Sequence, residues 1–181
     1  MQPRIPRQSA GEQDARRPDS ADHDPRFSPE LVSVVTGARR RALRDGDRQI
    51  DTAHLLHSLL EYDPEVNAVL GEGPHTARLL GYLVQRSIGY GLRWQGTVED
   101  SGGVPAVKEA TGFSPSAAAT IEHACERAAR RGLPRAGGVD LLAALVADPR
   151  TRAVEVLERA GVDPETILAR ADAHAGPAST P

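Results

Sequence analysis

A chain of 181 residues with 22 basic and 25 acidic side chains, formally −3 at neutral pH, has the size of one domain and lacks the basic excess of a nucleic-acid binder. Its one cysteine, Cys125, excludes an internal disulfide and fits a reducing cytoplasm; no apolar run approaches a membrane span. Aromatic residues are 3% of the total, so the core must rest on Leu, Val, Ile and Ala, as in small helical domains.

Residues 1–26 hold four prolines, five arginines and five acids, too little apolar area to offset the entropy of ordering, and are predicted to be a disordered arm. Met1 to Arg17 has no hydrophobic stretch of the kind a secretory signal needs. Ser28, Pro29 and Glu30 then form a strong helix start, followed by Leu31, Val34, Val35, Ala38 and Ala42 at three- and four-residue spacings up to Gly46. A second helix from Thr52 buries Leu55, Leu56, Leu59 and Leu60; Asp63-Pro64 opens a third with Val66, Val69 and Leu70. Past Gly71 to Pro74 a fourth carries Leu79, Leu80, Leu83 and Val84. Residues 89–112, with six glycines and the only tryptophan, Trp94, are predicted to be an exposed linker loop in which Trp94 pins the loop or makes a contact.

The second half repeats the first at a constant offset of 86 residues. Phe27-Ser28-Pro29 returns as Phe113-Ser114-Pro115; Ala38, Arg41, Ala42, Arg44 and Gly46 return as Ala124, Arg127, Ala128, Arg130 and Gly132; Leu55, Leu56 and Leu59 return as Leu141, Leu142 and Leu145. Eleven identities in 33 positions exceed the roughly two or three that chance would leave in so Ala-, Arg- and Leu-rich a chain. The expected architecture is all-α: an eight-helix, pseudo-twofold duplicate of a four-helix unit. Its repeats span 27–88 and 113–173, joined by the linker and followed by a loose tail over 174–181.

Little in the sequence suggests catalysis. Gly103 to Lys108 lacks the glycine before the lysine and the hydroxyl after it that a phosphate-cradling loop needs. His54 and His57 stand one helical turn apart near Asp51, yet no third metal ligand is evident; a polar helix-start residue and a surface histidine are the simpler reading. His123 and Cys125 diverge around their helix, and Cys125 reads as a small core residue. The Arg39-Arg40-Arg41 run and its echo at Arg127, Arg130 and Arg131 read as a solvated face partnered by Glu122 and Glu126. No cofactor and no metal are expected.

The unit formed by Phe-Ser-Pro, an Ala/Arg-rich helix, glycine and then Asp51-Thr52-Ala53-His54-Leu55-Leu56 resembles the Clp-N repeat, which occurs twice in the amino-terminal domain of ClpC- and ClpA-type unfoldases. The resemblance covers residues 27 to about 173 and carries no ATPase, so the chain looks like a freestanding amino-terminal domain of the kind seen beside ClpC in actinobacteria. It implies a non-enzymatic, monomeric module that binds proteins or peptides, as adaptor, decoy or sequestering protein, with ClpC clients, adaptors or cyclic peptide antibiotics as partners and neither nucleic acid nor membrane. A rival reading is a regulatory interaction partner that uses the arm and the Trp94 loop.

The resemblance also nominates residues. ClpC-type domains bind the guanidinium of phosphoarginine with a glutamate at the positions held here by Ala53 and Val139. Losing that charge-assisted bond costs roughly 1.5–3 kcal/mol, so phosphoarginine binding is expected to be weak or absent, although Ser28 and Ser114 keep helix-start groups able to hold a phosphate. An apolar site for cyclic peptides of the cyclomarin type maps onto Phe113, Ala118, Ile121 and Glu122, with Phe27 and Val35 from the first half. The two phenylalanines equally suit buried hydrophobic staples.

Overall fold

The computed structural model describes residues 23–71, 73–87, 99 and 112–176. Among them are eight α-helices and no strand: α1 (Pro29–Asp45), α2 (Thr52–Tyr62), α3 (Pro64–Leu70), α4 (Pro74–Ser87), α5 (Pro115–Arg130), α6 (Gly138–Ala147), α7 (Arg152–Arg159) and α8 (Pro164–His174). The all-α duplicate expected from the sequence is what forms. Trp94 and the arm before residue 23 lie outside the described residues.

Local chemistry explains the helix ends. The Ser28 and Ser114 hydroxyls accept the Leu31 and Ala117 amides, at 3.2 and 3.1 Å, and proline follows each serine where no N–H is needed. Gly46, with φ 74°, takes the left-handed turn that ends α1 and folds the chain back, so that the Asp47 amide donates to Ala42. Asp63 alone joins α2 to α3: its amide closes one helix and its carboxylate caps the next.

Helices α2 and α6 are the centre of the molecule. Every residue from Thr52 to Leu60 and from Gly138 to Val146 is buried, and the other helices pack around this pair as one continuous core. Polar residues on α2 must therefore find partners inside. Ser58 donates to the Val34 carbonyl at 2.6 Å, an approach allowed because α1 carries Gly37 at the crossing; a Cβ there would stand 2.4 Å from Ser58 Oγ. Val84, expected in the α4 stripe, is instead 50% exposed; α4 buries only the Leu79 and Leu83 side of that stripe.

The halves are locked by two parallel bridges related by the duplication, Phe27 to Ala136 and Ile50 to Phe113. Ser28 N–H donates to Ala136 and Ala136 N–H to Arg26, at 2.9 and 2.7 Å; Ser114 N–H donates to Ile50 and Ile50 N–H to Gly112, at 2.8 and 3.0 Å. Each Phe-Ser-Pro segment thus pairs with the loop of the opposite half, where its backbone groups find partners that its own helix cannot offer.

Candidate binding surface

The residues expected to line an apolar groove divide into two sets. Phe27, Val35 and Ile121 are core residues: Val35 lies in the stripe that faces α2, and Phe27 is held beside Ala136. Phe113 is half-buried, whereas Ala118 and Glu122, one turn apart on α5, are exposed together with Ala119. Glu122 takes a two-pronged contact from the Arg26 guanidinium, both bonds 2.8 Å, and Arg26 also grips Asp24. What the surface presents is therefore an uncharged strip on the first turns of α5, bordered by half-buried Phe113 and closed by an ion pair that fastens the end of the arm.

The two helix-start serines sit at pseudo-equivalent poles of different character. At one pole the starts of α2, α5 and α7 converge on the carboxylate of Glu99, which is 5% exposed. It accepts the Thr52 and Arg152 amides, both at 2.8 Å, and the hydroxyls of Thr52 and Ser114. Arg152 also pairs with buried Asp51 at 2.7 Å, and the Thr52 hydroxyl accepts the Ala153 amide. Helix amino termini carry partial positive charge, so a side-chain carboxylate fills this pole as an anion would.

At the other pole the starts of α1, α3 and α6 border an open groove of about 410 Å³ lined by Ser28, Glu30, Asp63, Glu65 and Gly138. Asp63 is buried there, capping α3 through the Glu65 and Val66 amides at 2.9 and 3.2 Å, while Glu30 and Glu65 are exposed at the rim. Ala53 and Val139 are both buried.

Charge placement corrects the sequence expectations in two respects. Arg127 and Arg131 reach across to α6 and α8 rather than to Glu122 and Glu126. Arg131 lies 2.7 Å from Asp140, and Arg127 lies 2.6 Å from Asp172 and 3.4 Å from Asp140. Among the described residues Glu126 pairs with Arg130, at 4.0 Å. His57, expected on the surface, is 6% exposed, because all of α2 up to Leu60 is enclosed. Burial pushes its imidazole down to about 4, with the nearby Arg41 charge acting the same way and Glu61 and Asp45 opposing. His54 is also fully buried; burial pushes it down, but the carboxylates of Asp45, Asp47 and Asp51 gathered around it outweigh this and raise it to about 10.

These two histidines give stability a defined pH dependence. A folded-state value of about 4 for His57 lies below the unfolded 6.5. Between those values the unfolded chain binds the extra proton, so stability falls as the pH drops. The expected loss from pH 7 to pH 5 is about 2 kcal/mol. The raised value of His54 acts in the opposite sense but only above pH 6.5, since below it both states are protonated. Urea unfolding of the His57→Gln variant should lack the loss between pH 7 and 5; an unchanged loss would show that other groups carry it.

Sequence reasoning could not find Glu99, which lies in the glycine-rich segment with no periodicity around it. Asp45 and Asp47 carried a faint signal, two acids flanking a helix-stop glycine just before a helix that opens with a histidine.

No protein-family profile and no curated protein sequence matches the chain. Solved structures do. The amino-terminal domain of the caseinolytic protease associated chaperone ClpD from Arabidopsis thaliana superposes with a TM-score of 0.61 at 23% identity, covering 82% of this chain and 93% of that one. The Hsp104 amino-terminal domain from Candida albicans gives 0.63 at 14% identity, covering 83% and 91%. A chain from a malarial protein secretion system gives 0.60 at 16%, covering 83% and 95%. The fold is that of the Clp-type amino-terminal domains. Among the described residues no helix is long and apolar enough to cross a membrane.

Proposed function

With the Clp-N fold as premise, we propose that this chain is a non-enzymatic polypeptide-binding module, acting as adaptor, decoy or sequestering protein toward cyclic peptides that target Clp unfoldases. The observation that carries the reading is the α5 strip: exposed Ala118 and Ala119 beside half-buried Phe113, with Phe27, Val35 and Ile121 buried in the core. A preformed, uncharged ledge on a rigid helix loses little entropy when a preorganised macrocycle docks. The poles support the expectation that phosphoarginine is a poor ligand: Glu99 fills one, carboxylates rim the other, and no acidic side chain stands at Ala53 or Val139.

Calorimetry of the full chain against a cyclomarin-type peptide tests this reading. Micromolar or tighter binding is expected. Ala118→Lys, at an exposed position that leaves the fold intact, should weaken it at least tenfold, as should Phe113→Ala. No heat with the wild type, or equal affinity in Ala118→Lys, would remove the sequestering role. Retention of ClpC or its clients on the immobilised chain would then be the remaining support for an adaptor.

A further inference from the structure

The α1–α2 turn holds a group of side chains that the docking surface does not use. Gly46 reverses the chain so that Asp45, ending α1, and Asp47, just past it, both face the first turn of α2. His54 lies there with no exposed side-chain surface; its Nε2 is 3.1 Å from Asp47 Oδ2 and 3.7 Å from Asp45 Oδ2. One donor atom from each of the three residues falls within 4.8 Å of the others.

Two observations point to a ligand. First, among the described residues His54 Nε2 finds no hydrogen-bond partner of good geometry although Asp47 Oδ2 is 3.1 Å away, so this buried nitrogen is aimed between the carboxylates rather than at one of them. Four-coordinate zinc, with bonds of about 2.0–2.2 Å to nitrogen and oxygen, holds its donors roughly 3.4 Å apart, a value that the 3.1 and 3.7 Å separations from His54 Nε2 bracket. Second, the duplication supplies an internal control. Asp140 replaces His54 in the second repeat, and each accepts the amide of its own helix cap, Gly137 for Asp140 and Asp51 for His54. There the residue matching Asp45 is Arg131, whose guanidinium sits 2.7 Å from Asp140. The second repeat thus places a guanidinium where the first gathers two carboxylates around an imidazole.

We propose that Asp45, Asp47 and His54 form a binding site for a divalent transition-metal ion of the zinc type. An imidazole donor disfavours magnesium and calcium, and the mixed nitrogen and oxygen set suits zinc. From the imidazolium form, which carries a proton on each nitrogen, capture sends the Nε2 proton to solvent and leaves Nδ1–H donating to Asp51 Oδ1, 2.9 Å away; that carboxylate then orients the ring as a second-layer partner, and the Asp51 amide no longer donates to Nδ1. Asp47 is partly exposed and borders a surface cavity of about 120 Å³, which gives the ion a way in. That cavity is also lined by Gln49, whose buried Oε1 has no hydrogen-bond partner among the described residues. The bound ion would pin the loop that ends at Ile50, the residue bridged to Phe113.

The test uses the untagged full chain, stripped with chelator and titrated with zinc chloride by calorimetry. One zinc per chain with micromolar or tighter affinity is expected, together with a raised Tm. Asp47→Asn, at a partly exposed position, should weaken binding at least tenfold and abolish the Tm shift while keeping its helical circular dichroism. In the wild type, zinc should move the His54 ring-nitrogen resonances and leave those of exposed His75, His123 and His174 in place, a readout that needs no variant. Absent binding, equal affinity in Asp47→Asn, or shifts confined to the exposed histidines would each overturn the site.

Discussion

Replacing Arg152 with alanine is expected to cost about 3–5 kcal/mol of folding free energy, read as a lower urea midpoint with little change in slope. The guanidinium lies inside the joint between the halves, 2.7 Å from Asp51, and both side chains are buried. Asp51 cannot turn to water in its absence, because the same carboxylate accepts the His54 amide at 2.9 Å and caps α2. Glu99 stands in the same knot on the Arg152 and Thr52 amides, so the truncation leaves Asp51 buried without its guanidinium partner and next to a second buried carboxylate. Glu99→Gln is the diagnostic partner. By itself it replaces one acceptor oxygen with an NH2 group facing amide donors, at roughly 1–3 kcal/mol. Combined with Arg152→Ala it removes one of the two buried negative charges left in the knot, so the double variant should lose clearly less than the sum of the two singles. Strict additivity would mean that Glu99 and Arg152 are not members of one network.

That knot also shows where the sequence stops being readable. Serine capping, proline at the first helical position and the Gly46 turn are written in adjacent residues, so the helix starts and the duplication could be placed from the sequence. So could the burial of Leu55, Leu56 and Leu59, whose spacing is repeated by Leu141, Leu142 and Leu145. The bridges from Phe27 to Ala136 and from Ile50 to Phe113 depend on how two copies face one another, and no local pattern encodes that. For the same reason His57 looked like a surface residue: periodicity gives each helix one wet side, but α2 is wrapped all round. The nominated groove lost Val35 and Ile121 to the core by the same logic, since a stripe that lines a groove and a stripe that packs a bundle read alike.

Gly138→Ala is expected to cost about 2–4 kcal/mol, a large effect for one methyl group at a helix start. Its Cβ would lie 1.8 Å from Asp63 Oδ2 and 3.2 Å from Leu59 Cδ2, so Asp63 has to move. Asp63 cannot move freely: as the single residue between α2 and α3, it holds the Glu65 and Val66 amides with its other carboxylate oxygen, Oδ1, and its own amide closes α2. The substitution therefore adds a steric clash to the loss of a cap, well beyond the 0.5–1 kcal/mol gained by removing a flexible glycine. The first repeat carries Thr52 at the matching place, with its side chain turned to Glu99 and the start of α7, so the requirement for glycine belongs to the short α2–α3 joint and not to the fold in general. Gly137→Ala is the control. Its φ is −106° and nothing lies within 4 Å of the added carbon, so its cost should stay below about 1 kcal/mol, the ordinary preference of a helix N-cap for glycine over alanine. Thermal unfolding of the two variants side by side decides the matter: a wide gap places the constraint at the Asp63 contact, and equal Tm values would refute it. Asp63→Ser, a shorter cap, should recover part of the loss in the Gly138→Ala background, because the hydroxyl can still accept an α3 amide from outside the methyl's reach.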